Sequence, residues 1–120
     1  TYNAAVIGQI TSPQTNFYEF TNAAAQFSAD FFSGTLKTDI QGKGVNWLDP
    51  NDAIDLGTES GSGQIDSGGP GFHGTFGNSG YPDGKFVGAF FGPAAAEMGY
   101  TFFLSKNGYT WLGGVYGTKN

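Results

Sequence analysis

The chain of 120 residues carries five lysines and no arginine against ten carboxylates, giving a net charge of −5, with 21 glycines, 12 phenylalanines, six tyrosines, two tryptophans and no cysteine. This is the length of one domain, and the acidic balance argues against binding to nucleic acid or to an anionic membrane. The missing cysteine excludes disulfides, thiolate metal sites and thiol nucleophiles, and no apolar run approaches the ~20 residues of a membrane helix.

Apolar residues recur at every second position along nearly the whole chain, which is the period of a β-strand. The first predicted strand runs from Tyr2 to Ile10 and places Ala5, Ile7 and Gln9 on one face. Helix is limited to a turn or two, and the first candidate is the short run 22–25.

The next elements combine strand patterns with glycine. Strands over 26–32 and 35–40 form a predicted hairpin around the turn at Ser33-Gly34. A further strand must come from the region 54–65, within a polar and glycine-rich part of the chain. We interpret the stretch 57–71 as a long loop with a short edge-like strand, since strands on both sides argue against a linker.

Two copies of the pattern F-x-G-x-F, at residues 72–76 and 86–90, flank a run of turn-forming residues from 77 to 84 and predict a β-hairpin. The central glycine of each copy leaves room for a ring from a neighbouring strand or lets the strand bend. The shared parity predicts that four rings lie on one face and are buried together: Phe72, Phe76, Phe86 and Phe90.

The last part of the chain begins with Pro93, where a second helical turn over 93–98 is predicted because proline fits a first helical turn. Strands 100–104 and 110–116 then form a hairpin around Asn107-Gly108, a strong short turn signal. The strand spacing predicts an all-β fold with eight strands in an antiparallel up-and-down barrel. A β-sandwich fits the same strands, and the barrel is favoured because eight strands enclose an interior that side chains just fill.

Catalytic and metal-binding patterns are weak. His73 is the only histidine and alternates with inward-facing neighbours, so we expect it to face solvent rather than to bind a metal or haem. The acidic segment 49–55 departs from a calcium-binding loop because Ala53 interrupts the alternating ligands. The glycines of 68–71 carry no lysine and precede no helix, so they do not form a phosphate site. No nucleophile-elbow pattern appears, and we predict a protein without enzymatic activity.

Three aromatic residues fall in predicted turns. Aromatic side chains at loop tips are common anchors in protein interfaces, although they also cover the ends of barrels. The candidate partner contacts are Trp47, Tyr81 and Tyr109.

The segment from Gly84 to Phe102 carries the most specific pattern of the chain. It resembles the closing hairpin of the barrel domains of transferrin-binding protein B and related Gram-negative surface lipoproteins, G-x-F-x-G-x-F-[YF]-G-P-x-A-x-E-[LM]-G-G-x-F, and departs from it only at Tyr100. Residues 31–36 and 112–117 also resemble the family, so that the likeness spans about residues 26–119. The motif positions, interpreted as structural, are Gly84, Phe86, Gly88, Phe90, Phe91, Gly92, Pro93, Glu97, Gly99 and Phe102.

The resemblance implies an eight-stranded barrel that usually forms the C-terminal half of a longer exported protein. We therefore treat residues 1–120 as one barrel domain, most similar to the C-terminal domain of a secreted hemophilin-type protein. In this family such barrels are associated with export through Slam-type outer-membrane translocons, and other members bind transferrin, haemoglobin or haem. No ligand residue can be carried over.

The favoured hypothesis is a barrel domain, secreted or on the surface of a Gram-negative bacterium, that serves translocon recognition and docking to a receptor or host factor. The alternative is direct binding of haem or a host iron protein through the barrel loops. A third hypothesis, a glycan-acting or calcium-dependent module, has no positive support. We expect no cofactor in this domain, while the resemblance allows for haem in a missing N-terminal domain. We expect neither nucleic acid as a partner nor a transmembrane segment.

Overall fold

A computed structural model describes residues 1–77 and 82–120, which are almost entirely β-structure. One turn of 3₁₀ helix, Pro93–Ala95, lies between the seventh and eighth strands. Within these ranges no helix has the length and apolar character needed to cross a membrane. The described residues form β1 (Tyr2–Thr11), β2 (Phe17–Phe20), β3 (Ala24–Asp30), β4 (Thr35–Asn46), β5 (Ala53–Ile65), β6 (Gly71–Gly77), β7 (Pro82–Phe91), β8 (Glu97–Lys106) and β9 (Tyr109–Lys119).

The strands form one closed antiparallel sheet, because the last strand pairs with the first. β1 pairs with β9 along its whole length, from Tyr2 opposite Lys119 to Thr11 opposite Thr110. The strands between them follow one another in chain order around the sheet. The predicted up-and-down antiparallel barrel is therefore confirmed, and the alternative of two separate sheets is not.

Nine strands fill eight positions of the barrel, because β2 and β3 lie end to end between β1 and β4. The break between them, residues 21–23, includes Asn22 with a left-handed φ of 52°. The prediction of a helical turn at residues 22–25 is wrong, since Ala24 and Ala25 belong to β3. A run this short cannot offset the cost of starting a helix, whereas the adjacent strands offer hydrogen bonds at once.

β5 differs from the short edge-like strand that we expected. It is a 13-residue strand that pairs with β4 on one side and β6 on the other. Its glycines and serines alternate, so that Ser60 and Ser62 face solvent while Gly61 lies against the ring of Phe76. Glycine at this inward position provides space for a ring. A strand with inward glycines has the same composition as a loop, and the sequence alone does not distinguish the two.

The connections follow turn chemistry in most places. Asn107 and Gly108 form the two-residue turn between β8 and β9, with φ values of 53° and 81° that match a type I′ hairpin turn. The second predicted helical turn, 93–98, is shorter than expected: only Pro93–Ala95 form a 3₁₀ turn, and β8 begins at Glu97.

Aromatic rings fill the barrel interior. The predicted burial of four rings on one face is confirmed, because all four are at most 6% exposed: Phe72, Phe76, Phe86 and Phe90. Their centroids lie close together, 4.9 Å apart for Phe72 and Phe90 and 5.3 Å apart for Phe76 and Phe86. These are usual separations for tilted aromatic pairs.

The first strand also has the predicted alternation. Ala5, Ile7 and Gln9 share one face, and this face is the outside of the barrel. The residues that enter the core are Tyr2, Val6 and Ile10. Ile7 therefore remains 74% exposed, although its side chain is as apolar as those of the buried positions.

Candidate protein-binding surfaces

The outside of the barrel divides into a polar and an apolar half. Strands β3 to β6 carry mainly polar side chains at their outward positions, whereas about half of the outward positions of strands β7, β8, β9 and β1 are apolar. The polar half presents Gln26, Ser28, Asp30, Thr35, Lys37, Asp39, Gln41, Ser60, Ser62, Gln64, His73 and Thr75. We call the large exposed side chains of the other half the apolar wall: Ile7, Val87, Phe91, Phe103, Leu112 and Tyr116.

The apolar wall is continuous because its residues are neighbours in register. Phe103 lies directly opposite Leu112 across β8 and β9. Thr101 separates Val87 from Gly114, which in turn lies opposite Ile7. The described strands thus place an uncharged strip across four neighbouring positions of the sheet.

β7 shows why this wall is unusual. Its inward residues Phe86 and Phe90 fill the core, and its outward residues Val87 and Phe91 are 59% and 43% exposed. A strand that is apolar on both faces is typical of a sheet covered on both sides. In the described residues nothing covers the outer side of β7.

One end of the wall is organised around Glu97. The ring of Phe91 stacks on that of Tyr116, with centroids 6.1 Å apart and an interplanar angle of 29°. The Tyr116 hydroxyl donates a hydrogen bond to the Glu97 carboxylate, and this bond raises the pKa of Tyr116. Gly92, with a φ of 81°, lets the chain turn beside this carboxylate.

The remaining motif positions have structural surroundings. Phe86, Phe90 and Phe102 are buried rings, and Pro93 starts the 3₁₀ turn. The motif glycines lie where a side chain would meet the adjacent strand or a ring: Gly84, Gly88 and Gly99.

A second exposed apolar group lies at the barrel end where β1, β4 and β8 finish. We call Phe17, Trp47 and Leu48 the loop cluster, which is 43%, 63% and 95% exposed in that order. The backbone N–H of Trp47 donates to the Phe17 carbonyl at 3.0 Å. The backbone N–H of Leu48 donates to Asn46 Oδ1 at 2.8 Å.

Asp52 holds the loop cluster in place. Its Oδ2 accepts hydrogen bonds from the Tyr18 hydroxyl at 2.9 Å and from Asn46 Nδ2 at 3.0 Å. The bond to this carboxylate raises the pKa of Tyr18. The loop therefore presents its aromatic and aliphatic side chains on a braced backbone, which lowers the entropy cost of binding a partner.

The three candidate aromatic residues differ in their exposure and in whether the structure describes them. Trp47 is exposed and belongs to the loop cluster. Tyr109, the first residue of β9, is half-buried and packs against the core, so that it covers the same end of the barrel. Tyr81 lies outside the described residues.

The other candidates of the sequence have local roles. His73 faces outward, and its Nδ1 lies 2.7 Å from Asp66 Oδ1. In the acidic segment, Asp49 and Asp55 accept backbone N–H groups two residues further along the chain. Among the described residues no group of histidines and carboxylates could hold a metal ion.

A buried hydrogen bond crosses the filled interior. The hydroxyls of Thr38 and Tyr100 lie 2.6 Å apart, and Thr38 also donates to the Gln26 carbonyl at 2.9 Å. Burial raises the pKa of Tyr100 well above its usual value. Both residues are satisfied within the barrel, which gives them a structural role.

Sequence reasoning missed the apolar wall and two members of the loop cluster. The sequence did contain a signal, because the outward positions of the last strands are apolar as well. Val87, Phe103 and Leu112 each directly follow an inward-facing residue. That signal shows that both faces are apolar, but not which of them is left uncovered.

Comparison with known proteins identifies a family for this chain. The whole chain, residues 1–120, matches the family described as C-lobe and N-lobe beta barrels of Tf-binding protein B. No curated protein sequence matches the chain significantly.

Solved structures of transferrin-binding proteins have the same fold. Intact Ap-TbpB, with its N and C lobes, is 23% identical with a TM-score of 0.65. A double mutant of the vaccine antigen transferrin binding protein B from Haemophilus parasuis Hp5 is 24% identical with a TM-score of 0.65. The isotype 1 protein from serogroup B Neisseria meningitidis is 21% identical with a TM-score of 0.62.

The matched structures are much longer than this chain. Each match covers 98% of the chain but only 24–25% of the other protein. The chain therefore spans about a quarter of the length of these relatives, and at these identities the likeness establishes the fold alone.

Proposed function

The chain belongs to the family of C-lobe and N-lobe β-barrels of transferrin-binding protein B, and on this basis we propose that it is a non-enzymatic, protein-binding barrel domain of an exported bacterial protein. The observation that carries this proposal is the loop cluster, which exposes Trp47 and Leu48 on a loop braced by Asp52. Large apolar side chains on a rigid loop are suited to protein recognition, since tryptophan is enriched among the residues that dominate interface energies.

We propose that the first role of the domain is export through a Slam-type outer-membrane translocon. The support is the hairpin of β7 and β8, which carries the family motif and pairs with β9. A closed barrel hides its strand edges and so limits aggregation during transit. Recognition would then use loops and outward faces, because the inward motif residues are buried. This role places the protein on the cell surface of a Gram-negative bacterium or outside the cell.

Docking to a host protein or to an outer-membrane receptor is the second proposed role, and the loop cluster is its site. The relatives named as transferrin-binding proteins make a host iron protein a reasonable partner. For haem the domain offers little, because its interior is filled by rings and His73 is held by Asp66 on the outside. We therefore assign no cofactor to this domain.

The export role is tested by following the protein in a host that co-expresses the cognate translocon. Full-length protein is compared with a version lacking residues 1–120, and cell-associated and released protein are both measured. We expect deletion to block release or surface display while synthesis continues. Equal release of the two versions would contradict the export role.

The docking role has a separate test in the barrel domain alone. We expect Trp47→Ala to weaken binding to transferrin or to the receptor at least tenfold, measured by biolayer interferometry. Thr75→Ala, on the polar half, is the matched control and should bind like the unchanged protein. Unchanged binding by the Trp47 variant, with the control also unchanged, would rule out the loop cluster as the docking site.

A further inference from the structure

The apolar wall has the size of one side of a protein interface. Its six side chains would each expose about 200 Å² when free, and at 43–74% exposure they present roughly 600–700 Å² together. The largest apolar patch on a typical monomer is about 300–600 Å². Each partner in a standard interface buries about 800 Å².

The shape of the wall suits the packing of one sheet on another. The molecule measures 45 × 31 × 18 Å along its principal axes, so the barrel is flattened. Gly99 and Gly114 lie between the large side chains and keep the surface low there. Two such faces can interdigitate about 10 Å apart, as in β-sandwiches.

Charges at the ends of the wall indicate which partner fits. Lys85 lies opposite Phe103 near one end, and Glu97 lies opposite Phe91 at the other. The outward positions between them are uncharged in all four strands of the wall. Lys85 and Phe91 are six residues apart on β7, so the two charges are about 20 Å apart along the strands.

A two-fold rotation about an axis lying in the interface and perpendicular to the strands exchanges these ends. It brings Lys85 of one copy to the Glu97 end of the other, twice in the dimer. The axis therefore lies midway between the row of Val87 and Thr101 and the row of Ala89 and Gly99. Each of these two rows meets the other across the interface, as the symmetry of an isologous interface requires.

We propose that two copies of this domain associate through the apolar wall, strand layers facing each other, with Lys85 and Glu97 paired across both ends. A second copy supplies the matching apolar area and, at each end, a charge of the opposite sign. This inference goes beyond the proposed function, since it uses the wall and leaves the loop cluster accessible on both copies.

The association is tested first by sedimentation of the 120-residue chain over the micromolar concentration range. We expect dimers, and we expect Val87→Lys to weaken the association at least tenfold because it buries a charge beside the axis. Val87 is 59% exposed, so the variant should fold, and its melting temperature checks this. The matched control Thr75→Lys, on the polar half of the barrel, should dimerise normally.

The geometry is tested by single cysteines, since the chain has none of its own. A short bis-maleimide should link two copies carrying Thr101→Cys, and should not link copies carrying Ser62→Cys on the polar half. Lys85→Glu should weaken the dimer, and the double variant Lys85→Glu with Glu97→Lys should restore it.

Several results would overturn the proposal. These are a monomer at all concentrations, a dimer insensitive to Val87→Lys, and equal cross-linking at positions 62 and 101. A wall protected from solvent only when a different protein or a further domain is present would assign it to that partner instead. The docking test is independent of these outcomes, because Trp47→Ala changes no residue of the wall, and the export test measures release of the protein rather than its association.

Discussion

The ring of Phe86 occupies the space into which a side chain at Gly74 would project. The two residues are direct partners across β6 and β7. A Cβ atom at position 74 would clash with this ring and with the backbone oxygen of Ser62. Rings and glycines are also register partners elsewhere in this hairpin, where Phe72 lies opposite Gly88 and Phe76 lies opposite Gly84. Alternation of rings and glycines thus fills the interior without forcing the strands apart.

Substitution of Gly74 by alanine should destabilise the barrel. The added methyl group meets the Phe86 ring and the neighbouring strand, and overpacking of this kind costs about 1–3 kcal/mol in the free energy of unfolding. Urea unfolding followed by circular dichroism measures the change. Gly69→Ala is the control, because a Cβ atom there meets nothing within 4 Å. Equal stability of the two variants would show that the space is not restricted.

Removal of a core ring should have a larger effect. We expect Phe86→Ala to lower the free energy of unfolding by about 3–5 kcal/mol, since it leaves a cavity among Phe72, Phe76 and Tyr100. Phe32→Ala removes the same ring from a fully exposed position and should change stability by less than about 0.5 kcal/mol. Chemical denaturation of both variants tests the difference, and similar losses would contradict the described core.

The buried Tyr100 should make stability fall at alkaline pH. Burial raises its pKa in the folded protein above the ordinary value of 10.0. The unfolded chain then loses its proton first as the pH rises past 10, and this favours unfolding. Below that pH the contribution is fully present. We expect the melting temperature to drop above pH 10, and Tyr100→Phe to reduce the drop. It should not abolish it, because the pKa values of Tyr2, Tyr18 and Tyr116 are raised as well. An identical pH profile for the variant would contradict this account.

Haem should not bind tightly to this domain. Rings fill the interior, and the single histidine, His73, lies on the outer surface beside Asp66. The chain also lacks cysteine and arginine, so thiolate ligation and guanidinium contacts to propionates are unavailable. Titration with one equivalent of haem should leave the Soret band at the position of free haem. A sharp shift that disappears in His73→Ala or in a tyrosine variant would contradict the prediction.

Local patterns were sufficient for much of the fold. The alternation of Phe and Gly predicted β6, β7 and their buried rings, because side chains of period two must separate into an inner and an outer face. Asn107-Gly108 predicted the last turn, because both residues adopt positive φ at low cost. The length of β5 was underestimated because a segment rich in glycine has the composition of a loop. Only the structure shows that the ring of Phe76 lies against Gly61, which explains the glycine at that position.

The sequence by itself determined the strand period, the main hairpins and the four buried rings, since each depends on residues near one another in the chain. Only the tertiary structure decided that Tyr2 pairs with Lys119, that Thr38 meets Tyr100, and that Ile7 and Leu112 share one exposed wall. These relationships join residues far apart in the chain, and a strand with two apolar faces does not reveal which face another layer covers. Closure of the sheet into a barrel determines which face is buried, because alternate residues of every strand then point into the core and the others point outward.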